Sequence, residues 1–381
     1  MKVYYGPECL CHDPPHEILS GRLVPYLESP RRLELVKNTL SRSSSFVFLS
    51  PEQDWPHNLL SYVLAVHTEE YVDHLKTIYD DWVVDGVQVA VLPETFLHHR
   101  LRAPNSLDLS NLSPIARAGE EALSVHLRLH IAHQDHTFQA AIAAAQVVLT
   151  AARALADDHL AIPDRGTFAL VRPPGHHAQD ALCGGYCFLN NVAIAAKYLL
   201  QHRGCGSVAI LDIDYHHGNG SRWMFRLPFC GYEPTRESAQ QIFYEEPRVL
   251  YVSLHAADDY PYFTGSAGER GAGPGFGFNH NFPLAQKDAT DDVYCGTLQQ
   301  AADIIRQSGE IEYLIVSLGV DTYQEDPICG FLLTQRCYPR IGEIIASLGK
   351  PTLFVMEGGY HLETLGDNVA SVLLGFEQAV V

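Results

Sequence analysis

The feature that most limits what this chain can become is an alternation along its length. Short β-branched, apolar runs at 2–5, 168–171, 208–213, 249–254, 313–318 and 352–356 are separated by longer stretches with helical periodicity. Those stretches fall near 31–40, 68–78, 138–155, 190–202, 293–308, 338–348 and 361–376. Strand–helix alternation of this kind predicts an α/β protein, with a mostly parallel sheet covered by helices on both faces. No linker rich in Pro, Gly or Ser divides the 381 residues and no solenoid-type repeat is present, so a single domain over 1–381 is expected. Residues 86–136 and 222–240 read as long loops or excursions.

Composition narrows the function classes. Lys plus Arg is 26 against 45 Asp plus Glu, a net charge of −19. That is the wrong sign for wrapping a phosphate backbone, so no nucleic-acid partner is expected, and it favours a cationic ligand. No run of about 18 apolar residues is present, and the first residues lack an apolar signal region, which predicts a cytoplasmic protein without a membrane partner. Nine scattered cysteines without a CxxC pair read as reduced thiols.

The chemistry-bearing residues fall just after the carboxyl ends of the expected strands, which in a parallel sheet share one edge. They are Arg172-Pro173-Pro174-Gly175-His176-His177, Asp214-Tyr215-His216-His217-Gly218-Asn219-Gly220, Gly319-Val320-Asp321 and Glu357-Gly358-Gly359-Tyr360. The period of two along an extended chain puts Asp212, Asp214 and His216 on one side, so that Asp214 and His216 face a metal and Asp321 arrives as a third ligand. Two carboxylates and one imidazole leave a fourth position of tetrahedral Zn²⁺ open, the layout of a catalytic site. Strand-end residues satisfied by loop amides are the bland alternative for any one of these positions.

The tandem His176-His177 allows one imidazole to take a proton and the other to supply one. Asp212 and Asn219 are the candidate partners for the far nitrogens of these rings. A carboxylate raises its imidazole's pKa and an amide does not, so the two histidines should titrate differently. Tyr360, after two glycines, can present its phenol to a developing oxyanion, with a merely packing tyrosine as the alternative. Together these parts spell metal-assisted amide hydrolysis.

These motifs, with Gly184-Gly185-Tyr186-Cys187-Phe188-Leu189-Asn190-Asn191 and Ser317-Leu318-Gly319-Val320-Asp321-Thr322, resemble the zinc-dependent deacetylases of the arginase-deacetylase fold. Within them the chain is most similar to acetylpolyamine amidohydrolases, through Gly21-Arg22-Leu23-Val24-Pro25-Tyr26-Leu27-Glu28-Ser29-Pro30 and Asp321-Thr322-Tyr323-Gln324-Glu325-Asp326-Pro327. The resemblance implies a three-layer α/β/α architecture around a sheet of about eight strands. It also implies one zinc on Asp214, His216 and Asp321, His176 and His177 as the acid–base pair, and Tyr360 as the carbonyl-polarising phenol. A channel walled by Tyr186 and Phe263, with Leu333 nearby, a structural potassium near Asp212 and Ser253, and Arg32 on an internal exit path follow from the same resemblance. The implied substrate is a small cationic acetylated amine, with an acetyl-lysine side chain as the alternative, and a homodimer is an option.

Two departures stand out. About eighteen extra residues, near Arg222 to Ala239, follow the Gly-Asn-Gly turn, and the acidic residues that would receive distal amines have no clear counterpart in 105–137, where Asp108, Glu120 and Glu121 are candidates. His126, His130, His133 and His136 would share one face if helical, on an entrance loop, a dimer surface or a second metal site. Two further readings were weighed. A binuclear manganese ureohydrolase would need another carboxylate where Gly319 stands, and a metal-dead module would read acylated amines without cutting them.

Overall fold

The computed structural model describes residues 1–19, 22–82, 136–157, 166–220, 242–262 and 264–379. The expected strands form one sheet in which every neighbouring pair is parallel. Its members are β1 (Lys2–Tyr4), β4 (Val47–Leu49), β5 (Gly166–Ala169), β6 (Val208–Asp212), β7 (Val249–Ala256), β8 (Asn279–Leu284), β9 (Tyr313–Leu318) and β10 (Thr352–Met356). They are ordered β4-β1-β5-β10-β9-β6-β7-β8. The central strands β5, β6, β7 and β10 are buried at every residue, as a sheet covered on both faces requires. A separate antiparallel hairpin pairs β2 (His16–Leu19) with β3 (Arg22–Pro25).

Two groups of helices cover the sheet. In one, α1 (Pro30–Leu40), α6 (Asp291–Gln307), α7 (Cys337–Ala346) and α8 (Leu365–Ala379) pack in series. In the other, α4 (Thr137–Asp157) packs on α5 (Asn191–His202) and β5, and the short α2 (Leu59–Val63) joins them, while α3 is Glu69–Trp82. By length and composition alone α4 would pass for a membrane span, but most of it is buried against the rest of the protein, as a core helix is. Local chemistry sets several boundaries. Pro30 opens α1, and the Asn190 side chain accepts from Ala193 N to cap α5.

The expected alternation holds for the six runs and seven helices, with three differences. Strands β4 and β8, the hairpin and the short helix α2 were not foreseen. Helix α8 starts at Leu365 and not near 361, because the His361 and Thr364 side chains bond each other in a turn that precedes it. Finally, β6 ends at Asp212, so Asp214 and His216 converge through a bend and not by extended alternation: His216 N donates to Asp214 Oδ1 at 2.9 Å.

Candidate active site

Four strand ends meet as expected. After β6 come Asp214 and His216, after β9 comes Asp321, after β5 the histidine pair, and after β10 the turn leading to Tyr360. The ligand atoms of Asp214, His216 and Asp321 lie within 4.8 Å of one another. His216 Nδ1 stands 3.3 Å from Asp214 Oδ1 and 3.0 Å from Asp321 Oδ2. The outer atoms of the carboxylates are held by backbone: Gly358 N donates to Asp214 Oδ2 at 2.8 Å and Tyr215 N to Asp321 Oδ1 at 2.9 Å. Burial disfavours the His216 cation, but its hydrogen bonds to the two carboxylates outweigh this and push it up to about 10. Two buried carboxylates facing one imidazole form a donor set that a divalent cation neutralises, so the residues fit a zinc ion by number and type.

Glycines just past the ends of two strands let the chain come this close. A Cβ at Gly319 would lie 2.2 Å from Asp214 Oδ2, so no side chain, and no extra carboxylate for a second metal, fits there. Gly359 has φ +125°, which lets the chain turn sharply into Tyr360.

The histidine pair is differentiated as foreseen. His176 Nδ1 is 3.2 Å from Asp212 Oδ2 and His177 Nδ1 is 2.7 Å from Asn219 Oδ1, with the rings 4.0 Å apart. Burial disfavours both cations. For His176 the charges of Asp214 and Asp212 overcome it and push the ring up to about 10. For His177 burial, followed by the adjacent His176 charge, drives the ring well below the ordinary histidine range. The two imidazoles are therefore biased in opposite directions, His176 toward the cation and His177 toward the neutral ring.

Tyr360 is buried, and burial raises its phenol well above 10, so it is an O–H donor throughout the working pH range. It packs with Tyr186 (5.5 Å between ring centroids), and Tyr186 packs edge-on against Tyr26. Tyr186 sits at φ +67°, a sparsely populated conformation for a tyrosine, and its hydroxyl donates to Glu17 Oε1 at 3.1 Å.

Other expectations fare differently. Leu333 is fully buried, its carbonyl accepting from Gln324 N, and Leu27 and Ile328 are the partly buried aliphatic side chains packed on the cluster of Tyr26, Tyr186 and Tyr360. Phe263, His126, His130 and His133, Asp108, Glu120 and Glu121, most of loop 86–136 and the 222–240 insertion lie outside the described residues. His136 bonds Gln139 just before α4. Asp212 and Ser253 are ladder neighbours, but Asp212 is engaged by His176, Tyr251 and Asp214 N, and Ser253 Oγ bonds His255 Nδ1 at 2.8 Å. Arg32 is buried, with Nε on the Gly359 carbonyl and Nη2 on that of Glu357, both at 2.6 Å, and its guanidinium over the Tyr360 ring.

Glu17 was missed. It is buried on the hairpin, and both hydrogen bonds it accepts, from Leu27 N and Tyr186, land on Oε1. Ser20-Gly21 between two apolar pairs was the available hairpin signal.

An all-parallel eight-stranded sheet with this edge is the arginase-deacetylase fold, and the site can hydrolyse an amide. Comparison with known proteins narrows the class. A family model described as "Histone deacetylase domain" matches residues 26–376. The chain is 38% identical over 383 residues to acetylpolyamine amidohydrolase 1 of Pseudomonas aeruginosa, covering 100% of this chain and 99% of that one. It is 34% identical over 379 residues to acetylpolyamine amidohydrolase of Mycoplana ramosa, covering 98% and 99%. The crystal structure of acetylpolyamine aminohydrolase from Burkholderia pseudomallei superposes with a TM-score of 0.82 at 31% identity, covering 100% and 99%. The chain belongs to the histone deacetylase domain family and is a deacetylase.

Proposed function

We propose that this protein is a zinc-dependent amidohydrolase that removes acetyl from N-acetylated polyamines. The observation that carries the reading is the Asp214–His216–Asp321 cluster beside a histidine pair in which His176 faces Asp212 and His177 faces Asn219. Full-length similarity to acetylpolyamine amidohydrolases supports the substrate class, as does the net charge of −19, which favours a cationic amine. Glu17 adds a buried carboxylate bonded to the Tyr186 hydroxyl, on the side of the aromatic cluster formed with Tyr360.

Asp214, His216 and Asp321 would hold zinc, which when bound polarises the acetyl carbonyl and acidifies water. His177, kept neutral by burial and oriented by Asn219, accepts the proton of the attacking water. His176, kept cationic by Asp214 and Asp212, supplies positive charge and a proton for the leaving amine. Tyr360 donates its O–H to the oxyanion. The structural potassium near Asp212 and Ser253 belongs to the same reading.

The reading is tested by incubating the purified protein with N-acetylputrescine. Equimolar acetate and putrescine are expected, with neither formed after chelation; no release from the zinc-loaded protein would overturn it. A pH dependence follows from the His176 assignment. Asp212 favours the cation, so the His176 pKa is raised and its proton is lost only at alkaline pH. Asp212→Asn lowers that pKa, so the alkaline limb of the pH–rate profile should move to lower pH. A limb that stays in place would assign it to another group.

A further inference from the structure

The segment Tyr323-Gln324-Glu325-Asp326-Pro327 has no part in the chemistry described so far, yet it reaches the site. We propose that Asp326 is a positioning residue that sets the place of the Tyr360 phenol. The inference rests on the reading of Tyr360 as the oxyanion donor.

The turn after β10 lies in the interior of the protein. A turn in the interior must find a partner for every N–H and C=O, because an unpaired buried group costs about 1–3 kcal/mol. Glu357 N donates to Leu318 O, Gly358 N to Asp214 Oδ2, and the Gly358 carbonyl accepts from Val320 N. Arg32 takes the carbonyls of Glu357 and Gly359. Beyond Gly359, where φ is +125°, the amides of Tyr360 and His361 leave the line of the strand. Both donate to one atom, Asp326 Oδ2, at 2.7 and 3.2 Å. Charge-assisted bonds to two consecutive amides fix the peptide plane from which the Tyr360 side chain departs.

The other oxygen holds the segment that packs on the aromatic cluster. Asp326 Oδ1 accepts from Ile328 N at 3.2 Å and Cys329 Sγ at 3.5 Å. Ile328 is, with Leu27, one of the aliphatic side chains packed on the cluster of Tyr26, Tyr186 and Tyr360. One buried carboxylate therefore anchors both the main chain of Tyr360 and a residue packed on the aromatic cluster to which its ring belongs. Hydrogen-bond stabilisation of an oxyanion depends on placing the donor near 3 Å from the developing charge, and a displacement of about 1 Å can cost on the order of 10²-fold in rate.

Asp326→Asn is nearly isosteric but puts an amide donor against one of the two pairs of donors. It should lower kcat by about 10- to 100-fold while KM and zinc content stay as in the parent protein. The decisive readout is a double-mutant cycle. With Tyr360→Phe already in place there is no hydroxyl left to position, so adding Asp326→Asn should lower kcat no further. A drop in that background as large as in the parent overturns the inference, as does unchanged kcat in the single variant. Zinc loss in proportion to rate also overturns it, because the effect would then run through Asp321. Near-normal turnover of Tyr360→Phe alone would instead bring down the reading of Tyr360. Should Asp326→Asn fail to fold, Asp326→Ser, which keeps an acceptor oxygen, is put through the same cycle with the same expected outcome.

Discussion

Replacing Tyr360 by Phe is expected to leave the metal content intact and to lower turnover about 10²- to 10³-fold, the cost of one oxyanion donor. The substitution removes a single oxygen. The ring keeps its contacts with Tyr186 and the Arg32 guanidinium, and the backbone keeps its anchors on Asp326 and Arg32, so nothing that holds the fold is lost. Burial raises the phenol well above 10, so the O–H is present over the whole working range and the loss should be nearly independent of pH. An interaction made only in the transition state lowers kcat and kcat/KM together. Steady-state kinetics beside a metal assay check this, and a variant with near-normal kcat would remove Tyr360 from the chemistry.

His216→Ala should behave in the opposite way and lose the metal itself. His216 Nδ1 is the one nitrogen in the cluster and faces both carboxylates at 3.0–3.3 Å. Without it, Asp214 and Asp321 are buried carboxylates close to each other with one fewer ligand between them, and mutual repulsion favours protonating one of them over binding a cation. Atomic absorption on the purified variant should find little zinc, and activity should fall to the level of the chelated parent. Zinc retained at one per chain would show that the assigned ligand set is wrong.

The sequence disclosed the centre of the molecule better than its edges, for physical reasons. Strands β5, β6, β9 and β10 stand out because a strand covered on both faces is a continuous apolar run, and their carboxyl ends carry the polar residues. β4 is three residues long and partly exposed, and β8 carries two asparagines and a proline at the sheet margin, so neither has a burial signal to read. The candidate metal ligands and the histidine partners were legible because the proposed chemistry demands those residue types at strand ends. Asp212 and Asn219 were candidates because they flank the expected ligands, and the structure puts them within hydrogen-bonding distance of His176 and His177 respectively.

What stayed hidden depends on contacts between distant segments. Glu17 reaches Tyr186 across 169 positions, and Asp326 reaches Tyr360 across 34. Leu27 and Ile328, from two segments far apart in the chain, pack on the same aromatic cluster, a contact no local pattern announces.

The central claim is tested most directly by kcat/KM of the zinc-loaded protein on N-acetylputrescine and on an acetyl-lysine peptide, side by side, each with a chelated control. A higher value on the polyamine, abolished by chelation, is the result predicted. Equal values, a preference for the peptide, or a rate that survives chelation would contradict it.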